Sequence, residues 1–141
     1  MTTIRRTSSA TWTGSVEQGS GQIRVGRQAE TLPFSLKTRV GEEPSTNPEE
    51  LIGAALAGCY SMSLSNELGN AGVAFDSVES SATVHLVQGE GGFSIPTIDL
   101  TTSVSGEGLD AAEVERIATI AEQNCPVSKL MRAEVRLTVK Q

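Results

Sequence analysis

Apolar residues recur at every second position in several stretches of the chain and at helical spacing in two. Ala10 and Trp12 lead into a glycine-rich turn, Gln18-Gly19-Ser20-Gly21. Ile23 and Val25 follow in alternation, and Leu32, Phe34 and Leu36 then alternate with Pro33, Ser35 and Lys37. This pattern predicts a β-meander whose third strand runs out to Arg39, followed by the polar loop Gly41-Glu42-Glu43-Pro44-Ser45-Thr46. Asn47 then suits an N-cap and Pro48 the first helical position, and Glu49 and Glu50 complement the positive end of the dipole. Glu50 also stands where a capping box needs it. The helix is expected from Pro48 to about Leu68, with Gly69 or Gly72 near its end. Alternation returns with Val78, Ser80, Ala82, Val84 and Leu86 on one face. After the turn Gln88-Gly89-Glu90-Gly91-Gly92 it resumes with Ile98, Leu100, Thr102 and Val104. Asp110 is placed to cap a second helix, with Glu113 completing a box and Leu109 and Val114 forming a staple. Val114, Ile117, Ala118 and Ala121 form a single stripe, so this helix covers a surface. Pro126 stops it near Asn124, a short turn follows to Met131, and Val135, Leu137 and Val139 mark a last strand. The order β-β-β-α-β-β-α-β is that of an α+β protein with antiparallel hairpins, expected as one domain over residues 1–141.

The first helix breaks the usual pattern. It carries no charge from Leu51 to Asn66, and apolar or small residues fall on every side. A helix that is apolar all round is buried all round. Gly53, Ala54, Ala55, Ala57, Gly58, Ser61 and Ser63 would let a second helix approach closely, which points to packing against a symmetry mate in a homodimer. The competing arrangement is a helix sandwiched between two sheets of one chain.

Composition narrows the function. Eleven basic against seventeen acidic side chains leave a net charge of −6, and aromatics make up 4%. There is no basic stripe for nucleic acid or an anionic membrane, and few rings on which to stack bases. Residues 1–20 hold no apolar run of a secretory signal, and Leu51–Asn66 is too short and polar to span a bilayer. A cytoplasmic protein is expected. Two cysteines and one histidine, His85, supply neither a disulfide framework nor a zinc ligand set, so no metal or cofactor is expected. His85 also lies on a strand pattern, where a hydrolytic triad is hard to build.

The remaining candidates for chemistry are the cysteines. Cys59 sits mid-way along the uncharged helix, and Cys125 stands in Asn124-Cys125-Pro126-Val127. Free cysteine often serves only as a small buried hydrophobe. Cys125, however, opens a short helical turn, whose N–H groups would stabilise a thiolate. Cys59 has no such end effect, and in apolar surroundings a thiol is inert unless a cation reaches it. Lys37 and Arg39 are the nearest cations in the chain, and Arg39 is preferred because guanidinium tolerates partial burial and also grips a carboxylate. Glu49 and Glu50 are the available carboxylates. Glu49 precedes Cys59 by ten residues, about 15 Å of helix, so within one chain it cannot touch that sulfur. Across an antiparallel pair of such helices it could, with an arginine bridging.

Thr46-Asn47-Pro48-Glu49-Glu50-Leu51-Ile52-Gly53-Ala54-Ala55, followed by Ala57-Gly58-Cys59-Tyr60-Ser61-Met62, resembles the OsmC/Ohr peroxidases, and within them the OsmC branch. Cys125-Pro126-Val127-Ser128 before the last strand matches the second signature, and the likeness extends from Trp12-Thr13-Gly14 through Arg39. The resemblance implies antiparallel sheets wrapped around a long central helix in an intertwined homodimer. It also implies a thiol peroxidase for organic hydroperoxides and, more weakly, hydrogen peroxide. Cys59 takes the peroxidatic place and Cys125 the resolving place. Arg39 stabilises the thiolate and the leaving oxygen, and Glu49 orients Arg39 through a bidentate pair. An external dithiol restores the thiols. A redox sensor that reacts once per chain, and a small-ligand binding protein with inert cysteines, are the alternative functions. Leu56, Tyr60, Met62 and Phe75 could wall an alkyl site but are expected to be mostly core.

Overall fold

A computed structural model describes all residues, Met1–Gln141, in two compact units, Met1–Leu51 and Ile52–Gln141. In the first unit, β1 (Ser9–Thr13), β2 (Ser20–Arg24) and β3 (Leu32–Phe34) form an antiparallel meander in that order. The expected third strand stops early: Leu36–Val40 is a short helix, α1, so Lys37 and Arg39 are helical rather than at a strand end. The cause is local. The Ser35 hydroxyl accepts from the Thr38 N–H while the Thr38 hydroxyl accepts from the Ser35 N–H, a reciprocal cap that competes with alternation.

Helix α2 (Pro48–Asn70) begins as expected, with Asn47 Oδ1 accepting from the Glu50 N–H at 2.8 Å. The Asn47 amide also donates to Thr38 O, tying the cap to the end of α1. At the far end Val73 N–H bonds Leu68 O and Gly72 N–H bonds Gly69 O. This is a Schellman ending, and it needs the positive φ of +71° that Gly72 adopts without penalty.

The second unit holds the rest of α2 together with β4 (Ser77–Val84), the small hairpin β5 (Val87–Gly89) and β6 (Gly92–Ser94), and β7 (Thr97–Ser105). Helices α3 (Ala111–Asn124) and α4 (Pro126–Leu130) and strand β8 (Glu134–Val139) complete it. The sheet order is β4-β7-β8. β4 and β7 pair antiparallel, but β7 and β8 run parallel, because α3 and α4 carry the chain back across the sheet before β8 enters. The fold is α+β with antiparallel sheets and this one parallel pair. Leu56, Tyr60, Leu64 and Leu68 from α2 close the core with Ile98 and Leu100 from β7 and Ile117, Ala118 and Ala121 from α3, all within 2% of full burial. The stripe anticipated on α3 is thus the one that packs.

Within the chain, α2 is not enclosed on all sides. Gly53, Leu56, Tyr60 and Leu64 are buried, while Ala54, Ala55, Gly58 and Met62 are exposed, so a helix sandwiched by its own sheets is not what forms. No helix is long and apolar enough to cross a membrane.

Candidate functional site

The cysteines, far apart in sequence, meet in the second unit. Cys125 is fully buried between the end of α3 and Pro126, where it forms the N-cap of α4, and Cys59 packs against the same core from α2. Both are free thiols, and they lie close enough for Cys59 to influence the ionisation of Cys125. As the sequence suggested, the α4 turn offers donors that favour a Cys125 thiolate, yet they do not prevail. The Ser128 and Val127 N–H groups do reach the sulfur, but burial outweighs them and pushes the Cys125 thiol up. The neighbouring Cys59 acts in the same direction as burial.

Surrounding groups hold this arrangement. The Tyr60 hydroxyl donates to Ala118 O at 2.9 Å and Ser63 Oγ to Ala121 O at 2.9 Å, pinning α2 to α3. Burial pushes the Tyr60 hydroxyl well above its ordinary value, with Glu122 and Cys125 adding to it. Ser128, itself buried, donates to Glu122 Oε1 and so ties α4 back to α3. Leu56 and Tyr60 are core, and Met62, 77% exposed, walls nothing within the chain.

Arg39 and Glu49 meet in the first unit. Nε and Nη2 of Arg39 both donate to Oε1 of Glu49, at 2.9 and 2.6 Å. The expected bidentate fork, one donor to each oxygen, does not form, and Glu49 Oε2 is left buried without a hydrogen-bond partner. Glu50, the other candidate, is exposed, and so is Lys37.

His85, the lone histidine, contacts Asp99 Oδ2 at 2.7 Å while Arg136 Nε donates to Oδ1 at 2.8 Å. The His85 contact, followed by Arg136, holds the Asp99 carboxyl below the usual carboxylate range. These three side chains are each about half open to water.

With this geometry in hand, the likeness to known proteins is decisive. A family model described as OsmC-like protein matches residues 41–140. The chain belongs to the OsmC family. Peroxiredoxin OsmC of Escherichia coli (strain K12) is 39% identical over 136 residues, covering 96% of this chain and 95% of that protein. Organic hydroperoxide resistance protein OhrA of Bacillus subtilis (strain 168) is 31% identical over 100 residues, covering 70% and 68%. The crystal structure of an organic hydroperoxide resistance protein from Elizabethkingia anophelis superposes with a TM-score of 0.79 at 27% identity, covering 100% of this chain and 99% of that one.

One feature of the first unit escaped the reading of the sequence. Trp12 and Phe34 stack at 5.3 Å between ring centroids beside Arg39, in a pocket that also takes in Leu36 and Pro48. The alternation of Trp12 and Phe34 in the meander was legible; that the two rings lie on one face depends on strand register.

Proposed function

We propose that this OsmC-family chain is a thiol peroxidase that reduces organic hydroperoxides, and more weakly hydrogen peroxide, through Cys59 and Cys125. The observation that carries the reading is that two free cysteines from distant parts of the chain, Cys59 on α2 and Cys125 at the start of α4, come together at one core. Cys59 is partly exposed and suits the attacking sulfur, and the buried Cys125 suits the resolving one. The Cys59 thiolate attacks the distal oxygen of ROOH, and the O–O bond breaks. Sulfur is oxidised to Cys59–SOH, and the alkoxide leaves and takes up a proton as ROH. Arg39, gripped by Glu49, favours the negative sulfur and the charge growing on the leaving oxygen. The Cys125 thiol then condenses with Cys59–SOH, releasing water and leaving a Cys59–Cys125 disulfide, which an external dithiol reduces by exchange.

The working unit is a homodimer. The exposed face of α2, with Ala54, Ala55, Gly58 and Met62, is apolar and small enough for the same helix of a second copy to pack closely on it. Names of the relatives, a peroxiredoxin and an organic hydroperoxide resistance protein, support the same reading. The test is consumption of an alkyl hydroperoxide with dithiol in excess. Many equivalents consumed per chain are expected; a single equivalent would make the chain a redox sensor instead.

A further inference from the structure

Cys125 stands midway between two residues to which the cysteine chemistry gives no task, Glu122 three positions before it and Ser128 three after. Ser128 is 7% exposed, and a buried hydroxyl needs a partner. It finds one by donating to Glu122 Oε1 across the junction of α3 and α4. The same residue turns its main-chain N–H toward the Cys125 sulfur. The backbone of Cys125 is held as well: its N–H donates to Glu122 O at 3.4 Å, and its carbonyl accepts from the Lys129 N–H at 3.0 Å. Glu122 thus grips the segment twice, once through its main chain and once through its side chain. α4 has only five residues, too few to hold their shape by their own hydrogen bonds. Without a tie from Ser128 to α3, the first turn of α4 would be free to drift, and the sulfur with it.

Position matters for one step in particular. In resolution an electron pair of the Cys125 sulfur forms the S–S bond to Cys59, and the S–O bond of Cys59–SOH breaks. The departing hydroxide leaves as water with the proton that Cys125 gives up. A disulfide forms only with the two Cβ atoms about 3.5–4.5 Å apart. A sulfur on a wandering segment rarely meets that demand, whereas one on a fixed pivot needs only a turn of its side chain. Peroxide attack on Cys59 makes no such demand on Cys125.

We propose that Glu122 and Ser128 form a clamp that holds Cys125 in place for disulfide formation, both being positioning residues of the resolving step and not of peroxide attack. The assignment rests on the peroxidase reading given above. Its test separates the two steps in a single turnover of the full chain. Consumption of one equivalent of cumene hydroperoxide reports attack, and intact mass of acid-quenched samples reports disulfide formation. Ser128→Ala and Glu122→Ala are expected to leave attack within about twofold of wild type and to slow disulfide formation about tenfold or more, the scale on which a misplaced reacting group is felt. Glu122→Gln is expected to form the disulfide within about threefold of the wild-type rate, because its amide oxygen still accepts from Ser128. Unchanged disulfide formation in the folded alanine variants would overturn the clamp. So would an equal loss in both steps, the mark of general damage to the fold. Glu122→Gln as slow as Glu122→Ala would overturn it too, since charge and not the hydrogen bond would then be at work. The same variants are also oxidised with diamide, which closes a dithiol without any hydroperoxide. A wild type inert to hydroperoxide but closed by diamide would sink the peroxidase reading alone, and the diamide rates then decide the clamp. No disulfide with either oxidant overturns both.

Discussion

Cys125 is sealed in hydrocarbon with no exposed surface, whereas Arg39 leaves 36% of its side chain open to water and binds a carboxylate that is itself 9% exposed. The two regions handle charge in opposite ways. At Cys125, burial suppresses ionisation, and the backbone donors of α4 do not overcome it. Around Arg39, a permanent cation is kept near solvent and needs only its carboxylate to be aimed. Burial thus works against charge at the thiol, whereas partial exposure preserves it at the guanidinium. Packing alone cannot make a thiolate in a core, and a surface ion pair alone cannot make a nucleophile.

This contrast can be broken experimentally. The largest effect is expected at the thiols: Cys59→Ser should abolish peroxide consumption, while Cys125→Ser should allow one attack and then accumulate chains carrying one or more extra oxygen atoms by intact mass. If the serine at 125 turned over normally with dithiol, the resolving role would be lost. Next comes Arg39→Ala, expected to slow single-turnover peroxide attack by about 10²–10³-fold, the scale for removing one charge-stabilising donor. An unaltered rate would detach the ion pair from the sulfur chemistry. The same change should destabilise the fold only modestly, by about 1–2 kcal/mol in urea titrations, since Arg39 is over a third exposed although Glu49 would be left without its partner.

The pH dependence of stability sharpens the buried side. Burial raises Cys125 and Tyr60 above their ordinary values of 9.0 and 10.0, so the unfolded chain loses these protons first as pH rises. Stability from these groups is complete below about pH 8.5 and is lost above it, as the unfolded state binds fewer protons than the native one. Urea midpoints should therefore fall from pH 8 to pH 11. Tyr60→Phe should flatten the upper part of that fall and cost about 1 kcal/mol at neutral pH through the lost bond to Ala118 O. The smallest effect is expected at His85→Gln. Its contact with Asp99 holds that carboxyl low, a contribution present above pH 3.8 and lost as pH falls through the depressed value. In so exposed a cluster, only a slight change in the acid limb of the stability profile should be seen, with turnover intact.

Much of this protein could be read before folding was considered. The Asn47-Pro48-Glu49 start of α2, the Gly72 ending, the Val114–Ile117–Ala118–Ala121 stripe and the stop at Pro126 are local signals, and each is where the chain places it. The strand misread at Leu36–Val40 was lost to an equally local signal, the Ser35–Thr38 reciprocal cap, which alternation masked. The parallel entry of β8 was not legible, since a strand's direction depends on the crossover that precedes it and not on its own residues.

Residue types and spacing therefore singled out the candidates for the proposed chemistry: two thiols, one guanidinium and one carboxylate on or beside recognisable elements. Only the tertiary structure decided that Cys59 and Cys125 come close, that burial beats the α4 donors at Cys125, and that Arg39 takes a single oxygen of Glu49. Only it, too, set Trp12 against Phe34 across Gly21. The reason is physical. Caps and periodicity act over a few bonds, whereas proton affinity and ring contact depend on neighbours brought close by distant parts of the chain.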